Sequence, residues 1–175
     1  MTWRDLVLDG FGRIQDSLKE TLDGLPPGLL DKLPRADCNP IGWLAWHLIR
    51  GMDRQVADLM GEEQLWIKDG WHKKFGRKAD PEDSGFGDTP EQVAAFRSPD
   101  TRVILDYSRA CVERTQAYLK TLTPAQLNRK LDEPEWTPVP TVGMRLVSIL
   151  VDCLEHAGQA AYVRGLLQGK GWMNY

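Results

Sequence analysis

The sequence has little of what marks secreted and membrane-spanning proteins. Its three cysteines, Cys38, Cys111 and Cys153, are odd in number and widely spaced, as in proteins that keep their thiols reduced. No segment offers the ~20 apolar residues of a membrane span, and the N-terminal stretch lacks the uninterrupted apolar run of a secretory signal. These absences predict a cytoplasmic protein without a membrane partner.

One-sided charge and the common catalytic motifs are absent too. The 22 Lys and Arg residues nearly balance 25 Asp and Glu, and the formal net charge is -3. Binding to a phosphate backbone needs a basic surface, so we predict no nucleic-acid partner. The sequence has no P-loop, no glycine-rich dinucleotide turn, no nucleophile elbow and no His-Glu-x-x-His helix.

The helical period dominates what is present. With 42% apolar and 27% charged residues, the chain has the composition of one globular domain, residues 1–175. Apolar residues recur at spacings of three and four in four long segments, and almost nothing alternates with the strand period of two. We therefore predict an all-α four-helix bundle. Its helices are expected over about Thr2–Leu22, from the Asn39-Pro40 cap to Met60, from Ser98-Pro99-Asp100 to about Leu122, and over about Val142–Gln168.

The longest connection, residues 61–98, lies between the second and third of these helices. It is rich in glycine, proline and charge, and a loop of this length in a compact domain is usually functional or disordered. Thr89-Pro90-Glu91 predicts one short helix within it. We interpret His72, in the same segment, as a surface or lid residue.

The last predicted helix places two polar side chains on an apolar stripe. Asp152 and His156 are four residues apart, so both point the same way and could share one metal ion or one hydrogen bond. Burying a lone carboxylate is costly, so Asp152 needs a cation, hydrogen-bond donors or a proton. Spacing alone does not decide between two interpretations. Either the pair binds a metal, or it binds none and is satisfied by one neutral hydrogen bond or by the water of a crevice.

His47 on the second helix is the third candidate ligand. It lies away from the main apolar face of that helix, on the side of Trp43 and Trp46. A solvent-facing histidine is the simpler interpretation, but two tryptophans are rarely exposed together, so we expect a pocket here under the long connection. Two histidines and one carboxylate form a known ligand set that leaves coordination sites free.

Thiol chemistry by the chain itself is a weaker hypothesis. Cys111 and Cys153 fall within apolar helical stretches and are predicted to be core residues. Cys38, just before the second helix, is the only candidate for a reactive thiol, because helix N-termini lower thiol pKa values.

Two stretches resemble the characteristic segments of the DinB superfamily. They are NPIGWLAWHLIRGMDR on the second helix and DCLEHAGQAAYVRGLLQGKGW on the last. The stretches SGFGDTPEQVAAFRSPD and WTPVPTVGMRLVSIL are similar to its actinobacterial branch of mycothiol-dependent enzymes, so the resemblance covers nearly the whole chain. It implies a four-helix bundle that holds one divalent metal through His47, Asp152 and His156, and it implies that a homodimer is a common state.

The resemblance also implies a metal-dependent S-transferase. Many relatives carry histidine at the position of Asp152, whereas the maleylpyruvate-isomerase-like branch carries a carboxylate. A harder ligand shifts preference from nickel towards zinc, iron or manganese, and zinc is our first expectation. Such a metal can stabilise the thiolate of a bound thiol. The implied reaction joins mycothiol, a low-molecular-weight thiol, to a small electrophile, with detoxification as the natural role.

Further residues are predicted around the ligands, and other functions stay open. No catalytic residue beyond the ligands is predicted. The competing hypotheses are a metal-dependent hydrolase, a non-catalytic helical module that dimerises or binds a ligand and, more distantly, a non-haem iron oxygenase. The residues predicted to bind the cofactor or support the ligands are Trp43, Trp46, Arg50, Arg54, Gln159 and Arg164.

Overall fold

A computed structural model describes residues 1–173 of the protein and confirms the all-α fold. The described residues contain no β-strand, only an isolated bridge between Lys130 and Thr141. None of their helices is both long and apolar enough to cross a membrane. The α-helices are α1 (Trp3–Leu22), α2 (Ile41–Met60), α3 (Leu65–Lys68), α4 (Trp71–Lys74), α5 (Pro90–Ala95), α6 (Thr101–Thr121), α7 (Pro124–Leu127) and α8 (Val142–Gln168), and a 3-10 turn covers Pro27–Leu29.

Side-chain caps begin three of the four long helices. The hydroxyl of Thr2 accepts from the backbone N–H of Asp5 at the start of α1, and the Asp5 carboxylate accepts from the N–H of Thr2. The side chains of Asp100 and Thr141 also accept from backbone N–H groups in the first turns of α6 and α8, without the reciprocal bond. These bonds satisfy helix N–H groups that have no partner within the helix, which is why the predicted boundaries nearly match those observed.

The start of α2 differs from the prediction. Asn39 does not cap this helix, because Pro40 occupies the cap position and no side chain bonds to the first turn. The N–H of Gly42 instead donates to the carbonyl oxygen of Leu30 at 2.8 Å. A distant loop thus provides the acceptor that a local side chain was expected to provide.

The four long helices form one bundle in which α8 packs against α1 and α2, and α6 packs against the same two helices from the other side. Arg4, at the start of α1, donates to carbonyl oxygens of Leu119 and Leu122 at the end of α6, so these helices are antiparallel. The shared core is aliphatic and aromatic, and each fully buried large side chain contributes about 1.5–3 kcal/mol. It includes Phe11, Ile14, Leu18, Leu48, Met52, Tyr107 and Ile149.

The segment 61–98 is irregular over most of its length, as predicted, but it is folded against α2 as a cover. It contains α3, α4 and the predicted short helix α5. Four of its five aromatic side chains are buried, with Trp66 fully inaccessible and Trp71, Phe75 and Phe96 nearly so, whereas Phe86 is exposed. His72 is likewise only 8% exposed and bonds through Nδ1 to the carbonyl oxygen of Trp66, so it is not a surface residue.

A buried ion pair on α2 attaches this cover. The side chains of Arg50 and Asp53 are both fully inaccessible to solvent. Asp53 accepts hydrogen bonds from the backbone N–H groups of Leu65 and Trp66, at 2.9 and 2.8 Å, and from the hydroxyl of Tyr107 at 2.7 Å. Buried charges persist only when such partners satisfy them. The guanidinium of Arg50 donates to the cover at the carbonyl oxygens of Pro81 and Asp83 and at the side chain of Gln64.

Candidate metal centre

The packing of α2 against α8 brings the three predicted ligands next to one another. The ring centroids of His47 and His156 are 4.8 Å apart, with an interplanar angle of 82°. His156 Nε2 lies 3.6 Å from Asp152 Oδ1. The other carboxylate oxygen faces α2, since a Cβ on Gly51 would stand 3.6 Å from it. Asp152 therefore reaches towards the helix that carries His47.

The three side chains are in contact pairwise, His47 with His156 and His156 with Asp152, but they do not point at one common position. Across residues 1–173, no three His, Cys, Asp or Glu side chains converge closely enough to hold a metal ion as they stand. The side chain of Asp152 is 44% exposed, so it has room to change rotamer, whereas His156 is 20% exposed. The assignment of these residues as ligands stays a prediction.

Hydrogen bonds fix the tautomers of both histidines. His47 Nδ1 lies 2.5 Å from the carbonyl oxygen of Ser84, and His156 Nδ1 lies 2.8 Å from Oε1 of Gln159. Carbonyl oxygens only accept, so each Nδ1 carries the hydrogen and each neutral ring has an unprotonated Nε2. Imidazoles that bind a metal are oriented by the same kind of bond.

The electrostatics of the site favour a cation. Burial lowers the pKa of His47, although the bond to Ser84 acts in the opposite direction, and the neighbouring His156 lowers it as well. His47 is thus neutral at pH 7, the form that binds metals. The Nε2 atom of a neutral imidazole and the carboxylate of Asp152 are acceptors, and a bound cation would satisfy them. The donor set therefore fits a divalent metal.

Residues 84–88 hold the outer side of His47. The Trp43 indole stacks on the His47 ring, with centroids 4.7 Å apart and planes 10° apart, and its Nε1 donates to Asp88 at 3.0 Å. The backbone of Gly85 packs closely against the same indole, because an added Cβ there would lie 2.7 Å from Trp43 Cζ2. Sequence reasoning missed Ser84, Gly85 and Asp88. Their only signal was the SGFGD stretch, which has no periodicity that could locate it against α2.

Two of the six predicted supporting residues touch the candidate ligands, and a third is part-exposed nearby on α2. Trp43 and Gln159 touch the candidate ligands, through the stacking on His47 and the bond to His156. Arg54 is part-exposed and forms an ion pair with Glu82 at 3.4 Å.

The other three predicted residues lie away from the ligands or have no free surface. Trp46 is fully buried behind Trp43, and Arg50 is bound by the 61–98 cover. Arg164 is 4% exposed and donates to carbonyl oxygens at the end of α1, those of Glu20, Thr21 and Asp23. The helical projection placed these side chains by angle alone, and the segments that cover them were not visible in it.

The cysteines are expected to differ sharply in reactivity. Burial raises the pKa of the Cys111 and Cys153 thiols, whereas Cys38 is partly exposed. Because the thiolate is the nucleophile, iodoacetamide at neutral pH should modify Cys38 alone in the native protein and all three cysteines after unfolding. Intact-mass spectrometry would count the adducts. A second adduct on the native protein would contradict the buried placement.

The features above define a class of protein: an all-α bundle with a candidate metal centre between its second and last long helices. A family model described as the DinB superfamily matches residues 11–160, and the chain belongs to this superfamily, which includes metal-dependent enzymes. The fold is similar to the crystal structure of a conserved protein of a locus from Enterococcus faecalis, with TM-score 0.89 and 31% identity over 97% of this chain and 99% of that chain. No curated protein matches the sequence significantly.

Proposed function

We propose that the protein is a divalent-metal-dependent thiol S-transferase that joins mycothiol to a small electrophile, with detoxification as its role. One observation carries the proposal: the rings of His47 and His156 are in contact, His156 Nε2 lies 3.6 Å from the Asp152 carboxylate, and the Nδ1 of each histidine is bonded to an oxygen. Membership of a superfamily that includes metal-dependent enzymes supports it. The mixed nitrogen and oxygen donors favour zinc, with nickel, iron or manganese as alternatives.

The residues around the centre have distinct tasks in this proposal. His47, Asp152 and His156 would hold the metal, which when bound supplies a Lewis acid that stabilises a thiolate at neutral pH. The Ser84 carbonyl and the Gln159 side chain keep the Nδ1 hydrogens in place, so both Nε2 atoms stay available. The Trp43 indole covers one face of His47 and restricts the access of water to it.

The thiol is assigned to a co-substrate because the chain offers no suitable nucleophile at the centre. Cys111 and Cys153 are buried in the core, where their pKa values are raised. Cys38 is partly exposed, and its thiol donates to the carboxylate of Asp37 at 3.7 Å and not to a candidate ligand. An incoming thiol does not depend on any of these cysteines.

A cleft of about 610 Å³ beside Gln159 is assigned to the electrophile. Its size and mainly apolar lining suit a small ligand. In the reaction, the thiol sulfur forms a bond to the electrophilic carbon, the leaving group departs with its electron pair, and the thiol proton passes to solvent. The lining includes Cys38, Asn39, Leu44, Gln159, Tyr162 and Leu166. A larger cleft, of about 820 Å³, lies near the end of α8 and contains none of the candidate ligands.

The test begins with elemental analysis of protein purified without a metal-binding tag. We expect about one divalent ion per chain, which His47→Ala, Asp152→Ala and His156→Ala each lose while circular dichroism shows an intact helical fold. Glu155→Ala is the matched control, because this exposed carboxylate lies on the same helix and is not one of the three candidate ligands. Native protein without metal, or variants that keep it, would reject the centre.

The activity test uses mycothiol and monochlorobimane, whose conjugation releases chloride and gives a fluorescent thioether. We expect conjugation above the uncatalysed rate in the metal-loaded protein and none in the three alanine variants. Hydrolysis of esters, amides or phosphoesters without thiol transfer would replace the proposal with a hydrolase. A metal-bound protein inactive in both assays would favour the binding-module hypothesis.

A further inference from the structure

A groove runs along α2 from the candidate metal centre towards the end of that helix. His47 and Arg54 are seven residues apart, or about two turns, so they lie on the same side of α2. Residues 82–84 of the cover follow this side in the opposite direction. The Ser84 carbonyl bonds to the first of these side chains, and the Glu82 carboxylate pairs with the second at 3.4 Å. The cover therefore forms one wall of the groove.

Helix α8 forms the opposite wall. Asp152 and Arg145 are likewise seven residues apart and lie on one side of α8. The guanidinium of Arg145 donates to the side-chain oxygen of Gln55 on α2 at 3.4 Å, and it pairs with Glu133 in the loop before α8. Seven residues of helix extend about 10 Å. Over this distance Gly51 has no side chain that could obstruct the groove on α2.

The groove ends in a polar pocket of about 390 Å³, a volume within the usual range of small-ligand sites. This pocket lies at the end of α2, whereas the apolar cleft assigned to the electrophile lies at the start of α2. The candidate metal centre is between them. Charged and amide side chains dominate the lining of the polar pocket, which includes Arg54, Gln55, Asp58, Glu82, Glu133 and Arg145.

The two arginines of the pocket are already paired with acidic residues of the chain. Arg54 pairs with Glu82, and Arg145 pairs with Glu133. An anionic ligand would meet the two carboxylates, and a cationic ligand would meet the two guanidiniums, so this arrangement selects against a net charge of either sign. A hydroxyl group both donates and accepts, so neighbouring hydroxyls can bond to a guanidinium and a carboxylate side by side.

The remaining polar groups of the pocket suit hydroxyl groups as well. Glu62 pairs with Arg114 at 3.1 Å, and Asp58 is exposed, so solvent screens its charge. Their carboxylate oxygens are acceptors. The oxygen of the Gln55 side chain accepts from Arg145, and its NH2 group is a donor. Donors and acceptors therefore alternate around the pocket.

We propose that this pocket binds the hydroxyl-rich, uncharged part of the thiol co-substrate, a sugar or cyclitol, while the sulfur lies at the candidate metal centre. The assignment to the thiol rests on the proposed function, in which the apolar cleft holds the electrophile on the other side of the centre. The ligand must then carry its hydroxyl groups about 10 Å from its sulfur. A short thiol such as N-acetylcysteine cannot occupy both places.

Isothermal titration calorimetry with the thiol-free glucosaminyl-inositol part of mycothiol tests the pocket without any reaction. We expect binding to the native full chain, before and after chelator treatment, because no residue of the pocket is a candidate ligand. Arg54→Gln and Asp58→Ala should each raise the dissociation constant about 10-fold, the effect of losing a hydrogen bond to a charged group. Arg13→Gln is the matched control, because it removes an arginine that pairs with Asp9 on α1, outside the pocket.

The conjugation assay separates the pocket from the proposed function. We expect Arg54→Gln to raise KM for mycothiol rather than lower kcat, so that the preference for mycothiol over N-acetylcysteine falls about 10-fold. Circular dichroism should show an intact helical fold, because Arg54 is part-exposed.

The possible outcomes are distinct. Binding of the thiol-free fragment that depends on Arg54, in a protein that conjugates no thiol, would support the pocket and reject the proposed function. Conjugation of mycothiol without fragment binding, or with its preference intact in Arg54→Gln, would overturn the pocket and leave the proposed function in place. Binding of inorganic phosphate or spermidine in place of the fragment would also overturn the pocket, because it would show selection for a charged ligand.

Discussion

Replacing Asp53 with alanine is expected to destabilise the protein by about 3–5 kcal/mol, because it removes one partner of a buried ion pair. The Arg50 guanidinium would keep its charge at a site with no solvent access. The backbone N–H groups of Leu65 and Trp66 and the hydroxyl of Tyr107 would also lose their acceptor. Chemical denaturation monitored by circular dichroism would measure the loss.

Two comparisons separate this network from a general effect of mutating α2. Asp58→Ala removes an exposed carboxylate from the same helix and should change stability by less than about 0.5 kcal/mol. The double variant Asp53→Ala/Arg50→Met should be more stable than the sum of the single changes implies, because it leaves no unpaired buried charge. Equal losses of unfolding free energy in Asp53→Ala and Asp58→Ala would show that the buried pair contributes no more to stability than an exposed carboxylate.

Local sequence signals predicted the long helices well. The periods of three and four are repeated over about 20 residues in α1, α2, α6 and α8, and each repetition adds to the same side of the helix. The side chains of Thr2 and Thr141 bond to backbone N–H groups only three residues further along the chain, so these caps can be predicted from local sequence. The bonding at the start of α2 cannot be predicted in this way, because the N–H of Gly42 donates to the carbonyl oxygen of Leu30, in a separate loop.

The 61–98 cover could not be predicted in the same way. Its helices are four to six residues long, too short to show a period. Its structure depends on contacts with distant residues, such as the bonds from Arg50 to Pro81 and Asp83. In a helical projection Arg50 points towards the expected pocket, and only the folded cover shows that its guanidinium has no free donor group facing solvent.

The adjacency of the candidate ligands was predictable, but their orientation was not. Asp152 and His156 share a side of α8 by spacing, and His47 on α2 was the third candidate because it lies on the side of two tryptophans. What orients the imidazoles is partly non-local, since Ser84 lies 37 residues from His47 in the chain. Gln159, three residues from His156, was the one orienting group within reach of sequence reasoning.

Gly85→Ala is expected to weaken metal binding about 10–100-fold, the usual effect of displacing a group that orients a ligand. Gly85 has φ +81°, and an added Cβ would lie 2.7 Å from Trp43 and 2.8 Å from Trp46. Both rings are held in the core, so the backbone must move instead. The adjoining Ser84 carbonyl, which fixes His47, would move with it.

Gly87→Ala is a matched control, because Gly87 has φ +80° and nothing lies within 4 Å of an added Cβ. Both variants bear the cost of a left-handed backbone, about 1–2 kcal/mol, but only Gly85→Ala adds the collision with the indoles. Chelator competition would measure metal affinity, and the NMR signal of the His47 Nδ1 hydrogen would report the Ser84 bond without any metal. If the two variants bind metal equally and keep this signal equally, the Gly85 contact does not position His47.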